Sequence, residues 1–382
     1  MTIFILIFLL LLVIYSLLID YYRRAWNAIP EPESARIAGV KATIVIAARN
    51  EEENIPVLLL CLEAQDYPKE LFEVIIVDDH STDNTWHLLS SHHKSINLHA
   101  MQLSPGNTGK KKAIELAVNA ASGKLIVQTD ADCTMSAEWL RSVAAFYEQT
   151  GAKFIAAPVL IRGGNSLRHV FESLDFLTLQ TITGASVYKR FHTMCNGANL
   201  AFEKSAFQEV NGFAGIDQIP SGDDMLLMHK IYSAYPDKVF YLKQRAAIVS
   251  TMPQPSWKHL FHQRVRWASK AVHYKDRRIF YVLLITYLIN AGFLALAVAT
   301  IIKVYWLPFL ILFISAKILI EFPFVNRGAQ FFGERRLMKW FPLIQPLHIA
   351  YVVIAGWLGR FGSYEWKSRI TKNNTTGNLA KQ

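Results

Sequence analysis

Long apolar runs lie near both ends of this 382-residue chain. The first run extends from Thr2 to Ile19, and the C-terminal third contains three more, from Ile279 to Ile302, Val304 to Val325 and Phe341 to Gly359. Each run is close to the roughly 20 residues with which a helix crosses a bilayer. The pattern therefore predicts an N-terminal anchor and a C-terminal membrane module.

The charges beside the first run distinguish a membrane anchor from a secretion signal. A signal peptide carries positive charge before its apolar core and a small-residue cleavage site after it. In this chain Arg23 and Arg24 follow the run, and no such cleavage site is present. We expect the first run to remain as an uncleaved membrane helix.

Between the apolar ends, short runs rich in β-branched residues alternate with helical patterns. This alternation is typical of an α/β domain with a mainly parallel sheet. The predicted strands are Thr43 to Ala48, Val74 to Asp78, Lys124 to Thr129 and Lys153 to Ile161. The predicted helices are Glu52 to Gln65, Ser81 to Ser90, Gly109 to Ala121 and Ser136 to Gln149.

These patterns divide the chain into five predicted segments. They are an anchor at residues 1–24, a linker at 25–41, an α/β domain at 42–275, a membrane module at 276–362 and a polar tail at 363–382. Pro30, Pro32 and Gly39 favour the linker assignment.

Basic residues predict the orientation of the segments. Arg23 and Arg24 follow the first apolar run. Seven basic residues lie before the second run: Lys258, Arg264, Arg266, Lys270, Lys275, Arg277 and Arg278. Because positive charge beside membrane helices stays on the cytosolic side, we expect a cytosolic α/β domain attached to a bacterial plasma membrane.

The sequence leaves open whether the last apolar run crosses the membrane. A full crossing would place the basic tail outside, whereas Pro342 and Pro346 permit a re-entrant or interfacial segment.

Composition narrows the choice of partners. The net charge is +10, but much of the excess flanks the apolar runs, where anionic lipid headgroups are the expected partner, so nucleic-acid binding is not expected. The three cysteines, Cys61, Cys133 and Cys195, are widely spaced without a C-x-x-C pair. Neither a disulfide framework nor a zinc site is indicated, and a reduced compartment fits.

Polar clusters follow three of the predicted strands. They are Ala48-Arg49-Asn50-Glu51, Asp78-Asp79 and Asp130-Ala131-Asp132. Ligands of open α/β sheets bind beyond the carboxyl ends of the strands, so these clusters predict one binding site.

The third cluster is the strongest candidate for a metal site. Alternate residues of an extended backbone share a face, so Asp130 and Asp132 can direct both carboxylates to one point. Mg²⁺ or Mn²⁺ would fit, because magnesium is commonly held by one or two carboxylates together with substrate phosphates. The alternative is coincidence, since a D-x-D triplet arises by chance about once in a chain of this length and composition.

Two further positions are candidate contacts for a nucleotide. Asp79 could accept hydrogen bonds from a base or ribose, and Glu51 could do the same across the crevice; the alternative is that Asp79 only caps the next helix. Lys110 opens a helix with a cation, against the preference of helix N-termini for anions. A nearby diphosphate would explain that placement, although a solvated charge run is the equal alternative.

Two motifs lie later in the chain. Asp223 and Asp224 stand at a predicted helix start, where an acid is either a cap or a base that takes a hydroxyl proton, and we favour Asp224 as the base. Gln263, Arg266 and Trp267 share one face of a helix by their spacing. An amide, a guanidinium and an indole suit a diphosphate and a sugar ring, but a basic helix at the membrane interface fits equally.

Together the residues from Thr43 to Trp267 resemble the membrane-integrated family 2 glycosyltransferases, the branch that includes cellulose, hyaluronan and ceramide glucosyl-transferring enzymes. In that family a first Asp, matched by Asp79, and a D-x-D pair, matched by Asp130 and Asp132, hold the nucleotide sugar, the pair together with the metal. Asp224 matches the catalytic base. The motif at the diphosphate and acceptor site is matched by Gln263, Arg266 and Trp267. Gly197-Ala198-Asn199 is similar to a small-residue stretch near the acceptor pocket. The cluster after the first strand also makes Ala48, Asn50 and Glu51 candidate nucleotide-sugar contacts, and the basic helix start makes Lys110 another.

The chain departs from the family pattern at two positions. Ala47 stands where many members have proline, and Gly222-Asp223 replaces Thr-Glu, which leaves the role of Asp223 open. The resemblance implies an A-type (GT-A-like) fold and inversion at the sugar carbon by direct displacement.

The resulting hypothesis is an inverting, metal-dependent transfer of a sugar from a nucleotide-diphosphate sugar, with UDP favoured, to a lipid or glycan hydroxyl. A processive polysaccharide synthase is one alternative. A membrane nucleotidyltransferase, which would release free diphosphate, and a catalytically silent scaffold are two others.

Overall fold

The computed structural model describes residues 2–32, 39–91, 96–217, 222–269, 276–361, 363–366 and 369–372. Two compact units are present. The sheet unit comprises Ala25–Arg162 and Phe176–Met252, and the helical unit comprises Met1–Arg24, Gly163–Asp175 and Pro253–Gln382. Lys270 and Lys275, two of the basic residues before the second apolar run, lie outside the described residues, as does most of the predicted polar tail.

The helices follow one another along the chain from the N-terminal anchor to the last apolar run. They are α1 (Thr2–Ala28), α2 (Ile55–Glu63), α3 (Thr85–Ser91), α4 (Lys110–Ala120), α5 (Trp139–Thr150), α6 (Leu167–Tyr188), α7 (Lys204–Glu209), α8 (Asp223–Ala234), α9 (Trp257–Ser269), α10 (Arg277–Ile302), α11 (Leu307–Phe331) and α12 (Phe341–Phe361).

The strands are shorter. They are β1 (Ala42–Ala48), β2 (Phe72–Asp78), β3 (Leu98–Gln102), β4 (Leu125–Gln128), β5 (Cys133–Met135), β6 (Phe154–Ala156), β7 (Val159–Ile161), β8 (Leu200–Glu203), β9 (Val239–Tyr241), β10 (Val249–Thr251), β11 (Ser363–Trp366) and β12 (Arg369–Lys372).

A seven-stranded sheet forms the centre of the sheet unit, in the order β3-β2-β1-β4-β8-β6-β9. Strand β8 runs antiparallel to both of its neighbours, and the other pairs are parallel. Nearly every position of β1 and β2 is buried, which explains their continuous runs of Ile, Val and Ala. The predicted α/β class with a mainly parallel sheet is therefore confirmed.

The predicted strand from Lys153 to Ile161 is two strands in the structure. Strand β6 belongs to the large sheet, whereas β7 pairs with β10 in a second sheet of order β5-β10-β7. Pro158 lies between them and has no N–H to donate to a ladder, so one continuous strand is interrupted there. The change of sheet matters for function because β10 ends at Thr251, beside the candidate metal ligands.

Within the described residues, four helices are long and apolar enough to cross a membrane, at Ile3–Ala28, Arg277–Ile302, Val304–Phe331 and Arg335–Gly359. Helix α1 continues to Ala28, past the predicted start of the linker at residue 25. The last apolar run forms the helix α12 with Pro346 in its interior.

A buried polar network lies among the apolar side chains of the helical unit. Lys317 Nζ donates to Glu321 Oε1 at 2.6 Å and to Gln345 Oε1 at 2.7 Å. Gln345 Nε2 donates to Glu321 Oε2 at 2.8 Å, and the hydroxyl of Tyr15 donates to Glu321 Oε1. Each polar group is thereby compensated in an apolar surrounding, and the network connects α1, α11 and α12.

Candidate active site

The polar clusters predicted at strand ends converge at one edge of the large sheet. Strands β1, β2 and β4 are adjacent and parallel, and their carboxyl ends are followed by Arg49, Asp79 and Asp130 respectively. The adjacency could be expected for β1 and β2, but the position of β4 beside β1 depends on the crossover of the sheet. This edge is where open α/β sheets bind ligands.

Asp79 is held in a fixed position with one oxygen unused. Its Oδ2 accepts a hydrogen bond from the backbone N–H of Gly109 at 3.0 Å and lies 3.6 Å from the guanidinium of Arg49. Arg49 also donates to the carbonyl oxygen of Asp79 at 2.7 Å. Oδ1 is buried and has no hydrogen-bond partner. An unsatisfied buried acceptor of this kind is suited to a donor group of a bound ligand.

Asp78, the other acid of the pair, is enclosed by the protein and hydrogen-bonded within it. It is fully buried and accepts a hydrogen bond from the side chain of Gln102 at 3.1 Å. The two neighbouring carboxylates are therefore distinguished by their surroundings, with only Asp79 keeping a free acceptor.

Ala48, Asn50 and Glu51 build the loop after β1. Ala48 is buried and its carbonyl accepts from the N–H of Asp79 at 2.8 Å. Asn50 has a φ of 53°, and its side chain accepts from the N–H of Thr82 at 2.9 Å, so it links the loops after β1 and β2. Glu51 contributes negative charge near Asp132. Their predicted nucleotide contacts remain predictions.

Asp132 lies among acidic side chains and stays exposed to solvent, although protein surrounds its carboxylate. Thr251, at the end of β10, donates to Asp132 Oδ2 at 3.2 Å. Burial, followed by the carboxylates of Asp130 and Glu51, raises the pKa of Asp132 to about 6, although Thr251 and Lys110 act in the opposite direction. Such concentrated negative charge favours a cation at this position.

Lys110 supplies a positive charge to the same cluster. Its Nζ lies 2.5 Å from Asp130 Oδ1 and 3.4 Å from Asp223 Oδ2. Burial by itself lowers the pKa of Lys110, but the carboxylates of Asp130, Asp223 and Asp224 outweigh burial and raise that pKa above its ordinary value. The cation at the start of α4 is thus paired with acids, and the alternative of a purely solvated charge run does not describe it.

Asp223 and Asp224 have different partners. Asp223 is buried, pairs with Lys110, and accepts from the side chain of Gln128 at 3.4 Å. Asp224 is partly exposed; its Oδ2 accepts from the N–H of Gly197 at 3.0 Å and its Oδ1 from the N–H of Met225 at 2.7 Å. Asp224 is therefore oriented by two backbone donors while keeping access to solvent.

Gly197 lies at the centre of these contacts. A Cβ at this position would lie 3.0 Å from Lys110 Nζ and 3.5 Å from Asp223 Oδ2. The absent side chain leaves room for the ammonium between the acids. Gly197, predicted near the acceptor, thus directly adjoins the residues that we assign to the donor and the base.

The carboxylates fit a divalent cation by their chemistry. Asp130 and Asp132 offer hard oxygen donors that Mg²⁺ and Mn²⁺ prefer. Within the described ranges, no group of three or more His, Cys, Asp or Glu side chains is placed to hold a metal ion. A site with two carboxylates suits a metal whose other ligands are water and phosphate oxygens.

The Gln263, Arg266 and Trp267 motif lies on α9, in the helical unit. All three side chains are partly exposed, and the observed α9 confirms the helix that their spacing predicted. The neighbouring Arg264 is buried; its guanidinium lies 2.9 Å from Asp175 Oδ2 and 4.2 Å from the ring centre of Trp267. Their predicted contacts with diphosphate and acceptor remain predictions.

Several residues of the site have no signal in the sequence. Thr251 is 119 positions from Asp132, and Gln128 is a polar residue within a buried strand. Arg49 belongs to the first polar cluster, but the pattern does not distinguish it as a contact. Only Gln128 could have been suspected, because a fully buried amide on a central strand needs partners.

Comparison with known proteins identifies the domain. Residues 43–210 match the family described as Glycosyl transferase family 2. Sequence relatives include the poly(ribitol-phosphate) beta-N-acetylglucosaminyltransferase TarS of Staphylococcus aureus (strain Mu50), 27% identical over 208 residues, which are 53% of this chain and 35% of TarS. The probable glycosyltransferase YdaM of Bacillus subtilis (strain 168) is 27% identical over 236 residues, 60% of this chain and 54% of YdaM. The chain thus spans between about a third and about half of these relatives.

A solved structure supports the fold. The mannosyltransferase PcManGT from Pyrobaculum calidifontis, in complex with GDP-Man and Mn²⁺, matches 91% of this chain and 96% of its own with a TM-score of 0.57 and 19% identity. The protein therefore has the A-type glycosyltransferase fold. The residues that match family 2, 43–210, include the motif acids Asp79, Asp130 and Asp132.

Proposed function

We propose that this protein is an inverting, metal-dependent glycosyltransferase that moves a sugar from a nucleotide-diphosphate sugar, a UDP-sugar, to a hydroxyl group of a lipid or membrane-proximal glycan. The observation that carries the proposal is the convergence of Asp79, Asp130, Asp132, Lys110 and Asp224 on one edge of a family 2 sheet.

The donor is expected to bind across the ends of β1, β2 and β4. The unpartnered Oδ1 of Asp79 would accept a hydrogen bond from the base or ribose, and Lys110 lies close enough to the acidic pair to contact a phosphate there. Asp130 and Asp132 would hold Mg²⁺ or Mn²⁺, which, when bound, neutralises charge on the departing diphosphate.

Asp224 is the candidate base. It would take the proton of the acceptor hydroxyl while that oxygen forms a bond to the anomeric carbon, and the nucleoside diphosphate would leave with the bonding electrons of the old bond. Attack from the side opposite to the leaving group inverts that carbon. Asp224 suits this role better than Asp223, because Asp223 is buried and already paired with Lys110.

The acceptor is expected at the membrane. Four helices of sufficient length and apolarity accompany the domain. TarS, by its name, modifies a poly(ribitol-phosphate), an acceptor that is itself a polymer of polar groups. We propose that the α/β domain lies on the cytosolic face of a bacterial plasma membrane, where nucleotide sugars are available.

The direct test uses membranes that contain this protein, incubated with a panel of UDP- and GDP-sugars and Mn²⁺. Transfer should release a nucleoside diphosphate from one donor, and Asp224→Asn should abolish that release. The control is Asp237→Asn, which removes an exposed acid elsewhere in the sheet unit and should leave the rate unchanged. Release of free pyrophosphate instead would identify a nucleotidyltransferase, and no consumption of any donor would contradict the proposal.

A further inference from the structure

Under the proposed function, the ammonium of Lys110 and the metal ion compete for the carboxylate of Asp130. Its ammonium is 2.5 Å from Asp130 Oδ1, an oxygen that we assign to the cation. A carboxylate oxygen in so short a contact with an ammonium is neutralised and less available to a metal. The same residue is also the candidate contact for the donor phosphates, so one cation serves two anionic partners.

The start of α4 and the neighbouring Gly197 determine where the ammonium of Lys110 lies. Helix α4 begins at Lys110, directly after Gly109, which has a φ of 107°. A lysine in the first turn is disfavoured by the helix dipole, so its charge needs acids nearby. Gly197 leaves room for the ammonium, since a Cβ there would lie 3.0 Å from Nζ and crowd it.

The ammonium also joins two parts of the site. It connects Asp130, after β4, to Asp223, at the start of α8, with 3.4 Å from Nζ to Asp223 Oδ2. Asp224, the candidate base, is the next residue along α8. Lys110 thus neutralises the acids that face it and keeps the base-bearing helix beside the D-x-D acids.

We propose that Lys110 is an internal stand-in for the divalent cation, which it replaces on Asp130 until a metal-bound diphosphate arrives, so that metal and nucleotide bind cooperatively. The metal alone must displace the ammonium from its 2.5 Å contact with Asp130 and leave it with the more distant Asp223, 3.4 Å away. A diphosphate supplies that partner, because the released lysine can pair with its oxygens. This inference rests on the proposed function.

The test measures metal binding rather than turnover. The full-length protein in detergent is titrated with Mn²⁺, and the free ion is followed by its electron paramagnetic resonance signal, with and without saturating UDP or GDP. Wild type is compared with Lys110→Gln and with Lys112→Gln, which removes an exposed charge from the same turn of α4.

Lys110→Gln should bind Mn²⁺ alone roughly tenfold or more tightly than wild type, since the competing charge interaction in a partly buried site is gone. The enhancement of Mn²⁺ affinity by the nucleotide should shrink in the same variant, and Lys112→Gln should match wild type in both. Lys110→Met, with a preserved circular dichroism melt, provides a second variant if the glutamine variant does not fold.

Two outcomes would overturn the inference, and they differ in whether the proposed function also fails. If wild type binds Mn²⁺ with nucleotide but Lys110→Gln and Lys110→Met bind Mn²⁺ alone no better than Lys112→Gln, the stand-in role is wrong and the proposed function survives. If wild type binds Mn²⁺ in neither condition, the metal-dependent mechanism fails together with it.

Discussion

Arg264 and Asp175 form a buried ion pair, with 2.9 Å between the guanidinium Nη2 and the carboxylate Oδ2. Their side chains are 1% and 8% exposed, and the ring nitrogen Nε2 of His348 lies 3.6 Å from the other oxygen of Asp175. Burial by itself raises the pKa of Asp175, but Arg264 and His348 outweigh it and hold that pKa below its ordinary value. The pair fixes α9, which carries Gln263, Arg266 and Trp267, against the first part of α6.

Replacing Asp175 by asparagine should destabilise the helical unit. The change removes the carboxylate nearest to the guanidinium of Arg264 and leaves Glu172 as an acid that still interacts with it. We therefore expect a loss of about 3 kcal/mol, at the lower end of the usual cost of breaking a buried pair. The measurement is thermal unfolding of the purified protein in detergent. Asp237→Asn is the control, because it breaks an exposed pair with Arg190 that is worth about 0–1 kcal/mol. Equal melting temperatures for the two variants would contradict this role of the buried pair.

Single and double replacements in the Lys317 network should differ in how much stability they remove. Lys317→Met leaves Glu321 buried without its cation and should lower the unfolding free energy by about 3–5 kcal/mol. Adding Glu321→Gln to Lys317→Met removes the unpaired charge and should recover part of that loss. Resistance to unfolding in SDS, measured for all four combinations, gives the interaction energy between the two positions. A double variant less stable than Lys317→Met would show that the carboxylate has another essential partner.

Removing one candidate metal ligand should weaken the metal-dependent part of nucleotide binding. Asp132→Ala is expected to lower the affinity for UDP or GDP in the presence of Mn²⁺ by roughly 100-fold. Affinity without metal should change little, because the proposed contact of the base or ribose with Asp79 does not involve the metal. Isothermal titration calorimetry with and without EDTA separates the two contributions. Unchanged binding in Mn²⁺ would remove Asp132 from the metal site.

Gly123 should be intolerant of a side chain. A Cβ at this position would lie 2.6 Å from both the carbonyl carbon of Ala42 and the amide nitrogen of Thr43, which are backbone atoms of β1. Gly123→Ala should therefore shift β1 and destabilise the sheet unit by about 1–3 kcal/mol or more. Gly39→Ala, where an added Cβ meets nothing within 4 Å, is the matched control in a thermal melt. Equal melting temperatures for the two variants would show that β1 can yield at no cost.

Glu203 should give a defined acid dependence of stability. Burial raises its pKa, but hydrogen bonds from Lys153, Ser205 and Tyr147 outweigh burial and lower that pKa to about 2. A depressed acid pKa stabilises the folded state above the unfolded pKa, and the contribution is lost as pH falls through the folded one. The melting-temperature advantage of wild type over Glu203→Gln should therefore be full above about pH 4.5 and shrink toward about pH 2. An advantage independent of pH would assign the effect to packing.

The local sequence pattern was sufficient to predict the elements that consist almost entirely of apolar residues. The apolar runs predicted α1, α10, α11 and α12, because a helix that faces lipid or a protein core on all sides carries few polar residues. The acids at the ends of β2 and β4, with the polar run after β1, predicted the binding edge for a related reason: parallel strands end at the same side of a sheet. Helix ends differed by a few residues, as at α3, because capping contacts such as Asp83 with Thr85 depend on geometry.

Contacts between distant residues could not be predicted. Strand β8 inserts antiparallel between β4 and β6, and the split of Lys153 to Ile161 into β6 and β7 depends on which strands they meet. The pairing of Lys110 with Asp130 and Asp223 joins residues far apart in the chain, and the predicted diphosphate contact of Lys110 stays a prediction.

The sequence by itself determined the class of fold, the apolar helices, and which acids could serve a nucleotide-sugar site, because these follow from period, length and strand order along the chain. Only the tertiary structure decided which acid is buried against Lys110, which keeps solvent access, and why residue 197 is a glycine. The physical reason is that charge, burial and free volume at a site are set by neighbours that are far apart in the chain and meet only when it folds.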